Sequence, residues 1–564
     1  MEASKVLQSV RKLTEVGLAL SAERDSNRLM ELILDSAKAL TGADAGTLYS
    51  YDESDQNLRF EILLNDSLGI HFGGTSGRQV AMPTLSIYDE QGQPRRETVA
   101  AQAVLTRTTI NIPDAYAALG YDFSGTRAFD ERTGYRSISF LTVPMSNHED
   151  EVLGVLQLIN CLDEHGVPVR FSAADQQLVE SLASMAAISL SNKRLLEDQA
   201  RLFESFIELI AAAIDDKSPY TGGHCRRVPE LTMMLADAVA STRDGPLAAF
   251  SMDEADRYEL RIAAWLHDCG KVTTPEHVMD KSVKLETIFD RMHLVRTRFE
   301  VLKRDARIEL LLELQQCAEP AQQALAQRRF AARIAQLEDD CRFLTRCNQG
   351  GEFMLEADKQ RVARIADYRW LDEDGTSQPF LSDDEVVNLT IERGTLTEAE
   401  RQTINYHMDA TLNMLESLPY PKHLRRVPEF AGGHHEHMDG TGYPRGLTRE
   451  QMSVQARVMA IADVFEALTA GDRPYKQALS LSQSLRILGD MCQKNRIDPD
   501  LFDVFVRERV YLSYANRFLD PAQIDTVDHA SIPGFEERVS DNTSGMTMAC
   551  QPVSGQSACR QTKE

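Results

Sequence analysis

RYELRIAAWLHDCGK, residues 257–271, decides how the larger part of this chain is read. Its apolar periodicity predicts a helix that carries His267 and Asp268 to its end, where Gly270 stops it. Neighbouring residues on a helix point about 100° apart, so both can face one ion only where the helix lines a cavity. A buried His-Asp pair without a cation would be costly. Working outward, the same chemistry recurs in TGGHCRRV (221–228), INYHMDA (404–410), GGHHEHMDGTGYPRGL (432–447) and MAIADVFEALT (459–469). Nine of the thirteen histidines fall between His224 and His437, a crowding that chance does not produce. His434 and His435 are adjacent near the end of a short helix after Val427, and Asp463 is a lone carboxylate on an apolar helix. Imidazoles and carboxylates without thiolates suit Fe, Mn, Co, Ni or Zn.

The chain has 564 residues, enough for two to four domains at roughly 100–200 residues each. With 43% hydrophobic and 26% charged residues it reads as an ordinary globular protein. No apolar run is long enough to span a membrane, and the amphipathic start lacks a secretory h-region, so a cytoplasmic protein is expected. Acidic residues outnumber basic ones, 86 to 61, for a net charge of -25. That excludes a duplex nucleic-acid binder but not a small phosphate ligand, which needs only local positive charge. Nine cysteines without a C-x-x-C pair exclude a disulfide framework and a structural zinc site.

Residues 29–52, LMELILDSAKALTGADAGTLYSYD, predict a helix ending at Thr41-Gly42 and then an alternating strand. ISFLTVPM (138–145) and VLGVLQLINC (152–161), joined by a polar NHEDE turn, predict an antiparallel hairpin. FSAADQQLVESLASMAAISL (171–190) predicts a helix capped by Ser172. This order, with Pro144, Gly154 and GVLQLIN ending at Asn160, resembles a GAF domain over residues 1–190, an α+β fold with an antiparallel sheet. The resemblance implies a small ligand, here unidentified. Relatives in cyclic-nucleotide phosphodiesterases carry Asn-Lys and Phe-x-x-x-Asp-Glu, where this chain has Asn160-Cys161 and Phe171 followed by Asp175-Gln176. Two of the five motif residues differ, so a fold-stabilising polar cluster is expected there.

From Asp175 no Gly or Pro occurs until Pro219, which predicts one coupling helix over 176–215. Leu182, Met185, Leu196, Phe203, Phe206 and Ile210 recur near a 3.5-residue spacing, interrupted at Ser189, Asn192 and Gln199. Two readings stand: a parallel coil between the copies of a homodimer, or a helix packed along its own domain. Residues 282–393 read as an inserted, projecting hairpin of charged helices broken at Pro320 and Gly350-Gly351. A C-terminal extension is expected over 511–564, disordered from about 534.

HDxGK, HHExxDGxGYPxGL and AIADVFEALT followed by RPY resemble the HD-GYP subgroup of the HD phosphohydrolases, over about 205–280 and 395–510. The resemblance implies an all-helical domain over 205–510 that hydrolyses cyclic di-GMP, with two end points open: pGpG, or onward to GMP. It implies two divalent ions, Fe or Mn before Co, Ni or Zn, held by His224, His267, Asp268, His407, His434, His435 and Asp463, with Asp268 bridging. His407 is preferred to His293 because LTEAERQTINYH matches the family pattern, although His293 stands at the family-like distance from His267. Tyr220 occupies the place of a third-metal glutamate, and a phenol is a poor ligand near neutrality. His437 and Met438 replace the usual basic residue and Trp at the rim. Lys271 is placed to bind a phosphate oxygen or protonate the leaving oxygen, and Glu436 to support His435. Gly442, Tyr443, Pro444 and Arg445, with Arg473 and Lys476, are expected to bind substrate. Other readings are hydrolysis of another cyclic dinucleotide such as cyclic GMP-AMP, or a non-catalytic scaffold. A partner with a diguanylate-cyclase domain is a further implication of the resemblance.

Overall fold

The computed structural model describes residues 2–217, 223–351, 353–372, 374–471 and 478–536. They form two compact units, 1–203 and 204–564.

In the first unit α1 (Glu2–Ala22) and α2 (Ser26–Thr41) precede β1 (Ala43–Asp52), β2 (Asn57–Asn65), β3 (Ile70–Gly73) and β4 (Leu85–Ser86). Then come α3 (Val99–Thr106), β5 (Ile110–Ile112), α4 (Ser124–Thr133), β6 (Phe140–Ser146), β7 (Val152–Leu162) and β8 (Pro168–Val169). Asp25 caps α2 by accepting from the Arg28 amide at 2.8 Å, and Gly42 ends it at φ 70°, a left-handed turn that suits glycine. The sheet order is β3-β2-β1-β7-β6-β5, every pairing antiparallel, with β4 on β2 and β8 on β7. The expected hairpin is β6–β7, with Phe140 opposite Ile159. One apolar core joins Ile33 and Leu34 of α2 to Leu48, Leu156 and Leu158 of the sheet. The polar cluster around Asn160 does what the sequence implies. Its Oδ1 accepts from the amides of Ile138 (2.7 Å) and Ser139 (3.3 Å), while Nδ2 donates to Arg136 O and the Tyr135 hydroxyl.

The helix α5 runs over Ala173–Lys217, three residues earlier and two later than expected. Ser172 and Asp175 close its start with a reciprocal pair of hydrogen bonds. Leu182, Ala183, Ala186 and Ala187 belong to the core of the first unit, and Ile207, Ala211 and Ile214 to that of the second.

The second unit continues with α6 (His224–Ser241), α7 (Glu254–Leu266), a short α8 (Glu276–Met279), α9 (Met292–Gln316), α10 (Pro320–Asn348) and α11 (Glu356–Ala366). A two-stranded hairpin of β9 (Arg369–Leu371) and β10 (Ser377–Pro379) leads to α12 (Asp383–Leu389) and α13 (Glu398–Glu416). The chain ends in α14 (Val427–Gly432), α15 (Val454–Thr469), α16 (Leu481–Gln493), α17 (Pro499–Arg507) and α18 (Val510–Phe518). Leu231, Ala263, Phe430, Ile461, Phe465, Leu485 and Phe502 share its main core.

Two differences from the sequence reading stand out. The 282–393 segment is more than a projecting hairpin: α9 and α10 rest on a core of their own, with Leu285, Phe299, Leu337, Val362, Phe380 and Leu389. Its root is fastened to α13, since Lys281 Nζ donates to both Glu400 carboxylate oxygens at 2.8 Å, and its two ends are tied together by Lys284 Nζ donating to Ile391 O at 2.7 Å. The boundary at 510 also falls inside the domain. Tyr511, Tyr514, Ala515 and Ile532 are buried in the main core, because their apolar surface completes it. The described residues run past 534 to Glu536, and the rest of the tail, where disorder is expected, lies outside them.

Candidate metal centre

The centre begins where α7 ends. His267 is its C-cap, Asp268 leaves the helix at φ -109°, ψ 13°, and a 3-10 turn follows over Cys269–Thr273. That departure lets two adjacent residues aim at one place. Gly270 does not stop the helix by a left-handed turn, as the sequence suggests. A Cβ there would lie 2.0 Å from the His407 carbonyl oxygen and 2.5 Å from the Thr411 amide nitrogen. Glycine is needed so that α13 can approach, and the Gly270 amide donates to Thr411 Oγ1 at 2.9 Å.

Four further segments converge on this turn. His224 opens α6, His407 lies on α13, His434 and His435 follow α14, and Asp463 lies inside α15. His224 Nε2 is 3.2 Å from Asp268 Oδ2 and 3.3 Å from Asp463 Oδ1. His267 Nε2 is 3.1 Å from Asp268 Oδ2, and His407 Nε2 is 3.5 Å from Asp268 Oδ1. Two quartets result, each with its ligand atoms within 4.8 Å of one another: Asp268, His407, His434 and His435, and His224, His267, Asp268 and Asp463. Asp268 belongs to both. All seven side chains expected as ligands are therefore brought together, and exposed His293 on α9 stands in neither quartet.

The imidazoles are oriented by their own helices. Nδ1 of His267, His407 and His434 each donates to the carbonyl three residues earlier, Ala264 (2.7 Å), Ile404 (2.5 Å) and Ala431 (2.6 Å). In each neutral ring the proton sits on Nδ1, so Nε2 turns a lone pair inward. These three Nε2 atoms and Asp268 Oδ1 are buried without a hydrogen-bond partner. Each such orphan costs about 1–3 kcal/mol, and four converging on one spot are the pattern a cation would satisfy.

Charge follows the same division. Burial opposes ionisation of Asp268, yet Lys271 and His267 hold it well below the usual carboxylate range; His224 and His267 do so for Asp463 against the same penalty. Burial pushes His267 down, but Asp268 and Asp463 outweigh it and bring the pKa to about 9. Burial takes His434 well below its ordinary value, helped by His435 and His267, and takes His435 to about 4. Without metal, His267 keeps its proton below about pH 9, and metal binding must release it. Metal retention should therefore fall as pH falls from 9 towards 6, which metal analysis after dialysis at stepped pH measures.

Several neighbours were not legible beforehand. Glu466, one turn after Asp463 and 1% exposed, accepts from Arg227 Nε at 2.7 Å, and its Oε2 lies 2.5 Å from His224 Nδ1. It holds His224 with Nε2 facing the quartets. The signal was a second carboxylate at i+3 within the apolar MAIADVFEALT run. Glu466→Gln should weaken metal binding by about 10–100-fold in a direct metal titration, as loss of a ligand's supporting partner does. The end of α5 is also fastened to the site. Lys217 Nζ donates to the carbonyls of Lys271 (3.1 Å), Val272 and Thr274 (2.7 Å), and Asp215 Oδ1 accepts from the Cys225 amide at 3.1 Å.

The expected substrate-binding residues fare differently. Lys271 Nζ donates to Asp268 Oδ2 at 2.5 Å and its side chain is 23% exposed. Tyr443 stacks on His435, ring centres 4.8 Å apart at 15°, so one of its faces is already covered. Arg445 pairs with Glu416 at 2.7 Å. Gly442 permits close chain approach, since a Cβ would lie 2.4 Å from the His437 amide nitrogen, and Pro444 follows a cis peptide bond. Glu436 does not support His435. Its carboxylate accepts from the amides of Arg445 (2.8 Å) and Leu447 (2.9 Å), because the loop turns back over it, so it shapes the loop instead. His437 bonds Thr441 Oγ1 and joins neither quartet, and Met438 is buried. Tyr220, Arg473 and Lys476 lie outside the described residues.

Residues 25–190 match the family model of the GAF domain, while 221–367 and 383–501 match two models of the HD domain. The chain thus carries a GAF domain followed by an HD domain. Over 338 residues it is 39% identical to the 3'3'-cGAMP-specific phosphodiesterase 3 of Vibrio cholerae, covering 58% of this chain and 46% of the relative. Over 81 residues it is 47% identical to phosphodiesterase 1 of the same specificity and organism, covering 14% and 19%. A cyclic di-GMP phosphodiesterase of Pseudomonas aeruginosa is 36% identical over 114 residues, 20% and 26% of the two chains. The chain spans less than half the length of each of these relatives. Among the described residues no helix is long and apolar enough to cross a membrane.

Proposed function

We propose that the chain is a metal-dependent phosphodiesterase of cyclic dinucleotides, opening cyclic di-GMP to pGpG, under control of its GAF domain. The observation that carries this reading is Asp268, shared by two quartets around four unpartnered inward-facing atoms. Two divalent ions bound there, Fe or Mn before Co, Ni or Zn, would supply an activated water and neutralise charge on the phosphate. In hydrolysis the water oxygen bonds to phosphorus, the P–O3′ bond breaks, and the departing O3′ takes a proton. Lys271, bonded to Asp268 and partly exposed, is the group assigned to a phosphate oxygen or to that proton. Gly442, Tyr443, Pro444 and Arg445, in the loop shaped by Glu436, are assigned to the dinucleotide, and the basic residues Arg473 and Lys476 are assigned to its phosphates from sequence alone.

The bonds from Asp215 and Lys217 to the segments bearing His224 and Lys271 support a signalling role for α5. Exposed Leu195, Leu196 and Leu202 on the same helix support pairing of two copies along it. Action in the cytoplasm accords with such a role.

A second reading has its own support: the two Vibrio cholerae relatives are named for 3'3'-cGAMP. Side-by-side turnover of the two dinucleotides by metal-loaded protein decides between them. Faster cleavage of cyclic di-GMP upholds the first reading, and faster cleavage of 3'3'-cGAMP the second. Binding of both with metal present and cleavage of neither would leave a scaffold and overturn catalysis.

A further inference from the structure

We propose that the cavity of the GAF domain takes an uncharged, largely apolar ring compound and not a nucleotide. This gives a chemical class to the ligand that control by the GAF domain requires, and rests on that reading. The cavity measures about 480 Å³, within the roughly 300–1,000 Å³ of small-molecule sites. It lies inside the first unit, against β1, β2, β6 and β7 on one side and α3 and α4 on the other.

Six aromatic rings line it, those of Tyr49, Phe60, Phe123, Phe129, Tyr135 and Phe140. Four of the polar side chains that line it are engaged within the protein. The Tyr49 hydroxyl donates to Gln157 Oε1 at 3.2 Å, and Gln157 Nε2 donates to Thr142 Oγ1 at 3.0 Å. The Tyr135 hydroxyl donates to Asp44 at 2.6 Å and accepts from Asn160 Nδ2 at 3.0 Å. Ser137 Oγ donates to Asp130 Oδ1 at 2.8 Å. A nucleobase needs several free hydrogen-bonding groups to be read, and these side chains have committed theirs.

Charge points the same way. Among the described residues that line the cavity, none is Lys or Arg, and the sole charged one is Asp122, exposed at α4. At the start of α4 the Asp122 carboxylate takes the Ser124 amide at 2.8 Å and sets a negative charge beside the place an anion would occupy. A phosphate placed there would lose its hydration beside a carboxylate and gain no cation. An uncharged ring would gain stacking and dispersion from the aromatic walls without that loss.

The test uses the full chain and the neutral fluorophore N-phenyl-1-naphthylamine, with cyclic GMP as competitor. Saturable binding of one probe per chain, undisturbed by excess cyclic GMP, is expected. Ala100→Trp should fill the cavity and abolish that binding. Phe129→Ala, at a half-buried position on α4, removes one wall without adding bulk and should weaken binding by roughly tenfold. If the tryptophan variant does not fold, Phe129→Ala alone decides. Probe binding that both variants leave unchanged, or displacement of the probe by cyclic GMP, would overturn the proposal. Turnover of the cyclic dinucleotides in the same samples is a separate readout, so failure of the phosphodiesterase reading and failure of the cavity assignment remain distinguishable.

Discussion

Asp268→Ala is expected to strip both metal ions and to lower kcat/KM by more than about a thousandfold, equivalent to about 4 kcal/mol of transition-state stabilisation. The reason is the sharing. Oδ1 lies 3.5 Å from His407 Nε2, and Oδ2 lies 3.2 Å from His224 Nε2 and 3.1 Å from His267 Nε2. Alanine takes one ligand from each quartet at once, so neither half keeps its complement. Asp463→Ala is the matched control, because Asp463 belongs to one quartet only and its loss should spare the His407, His434 and His435 side. Metal per chain and turnover, measured on both variants beside their melting temperatures, separate loss of the ions from loss of the fold. Full activity in Asp268→Ala would refute the assignment.

The second large effect comes from the smallest change. Gly270→Ala should destabilise the HD domain by about 3 kcal/mol, the upper part of the range for overpacking, and should loosen metal on the His407 side. The new methyl would lie 2.0 Å from the His407 carbonyl oxygen and 2.5 Å from the Thr411 amide nitrogen. Both are backbone atoms of α13, which cannot swing aside as a side chain can. Relief requires α13 to retreat, and the ring of His407 retreats with it. A urea midpoint lowered together with incomplete metal loading is the expected pair of results. A midpoint and metal content equal to those of the unaltered protein would show that the contact is not needed.

What could be read from the sequence was whatever leaves a local trace. The β6–β7 hairpin shows as two β-rich runs around a polar turn, α5 as a stretch without Gly or Pro, and the seven converging side chains as His and Asp in fixed company. His407 was separated from His293 by the residues before it, since Thr397 and Glu400 form the reciprocal cap that starts α13. What escaped depends on contacts distant in sequence. Glu466 supports His224 across 242 positions, and although the apolar run around it singles Glu466 out, nothing nearby names His224 as its partner. Gly270 reads as a helix stop because its true neighbour, α13, lies beyond the inserted segment. The core within 282–393 was hidden because its apolar residues are thinly set among charges on α9 and α10 and meet only when α11 and α12 close over them. The GAF cavity draws its walls from residues between 45 and 159, a spread that carries no periodic signal.

The account stands or falls on a pair of cations centred on one carboxylate. Elemental analysis of the full chain purified without oxygen, read against its turnover of cyclic dinucleotide, tests this directly. Two divalent ions per chain, with activity rising in step as they are restored to stripped protein, is the predicted result. Hydrolysis that persists at full rate with no bound metal would contradict it.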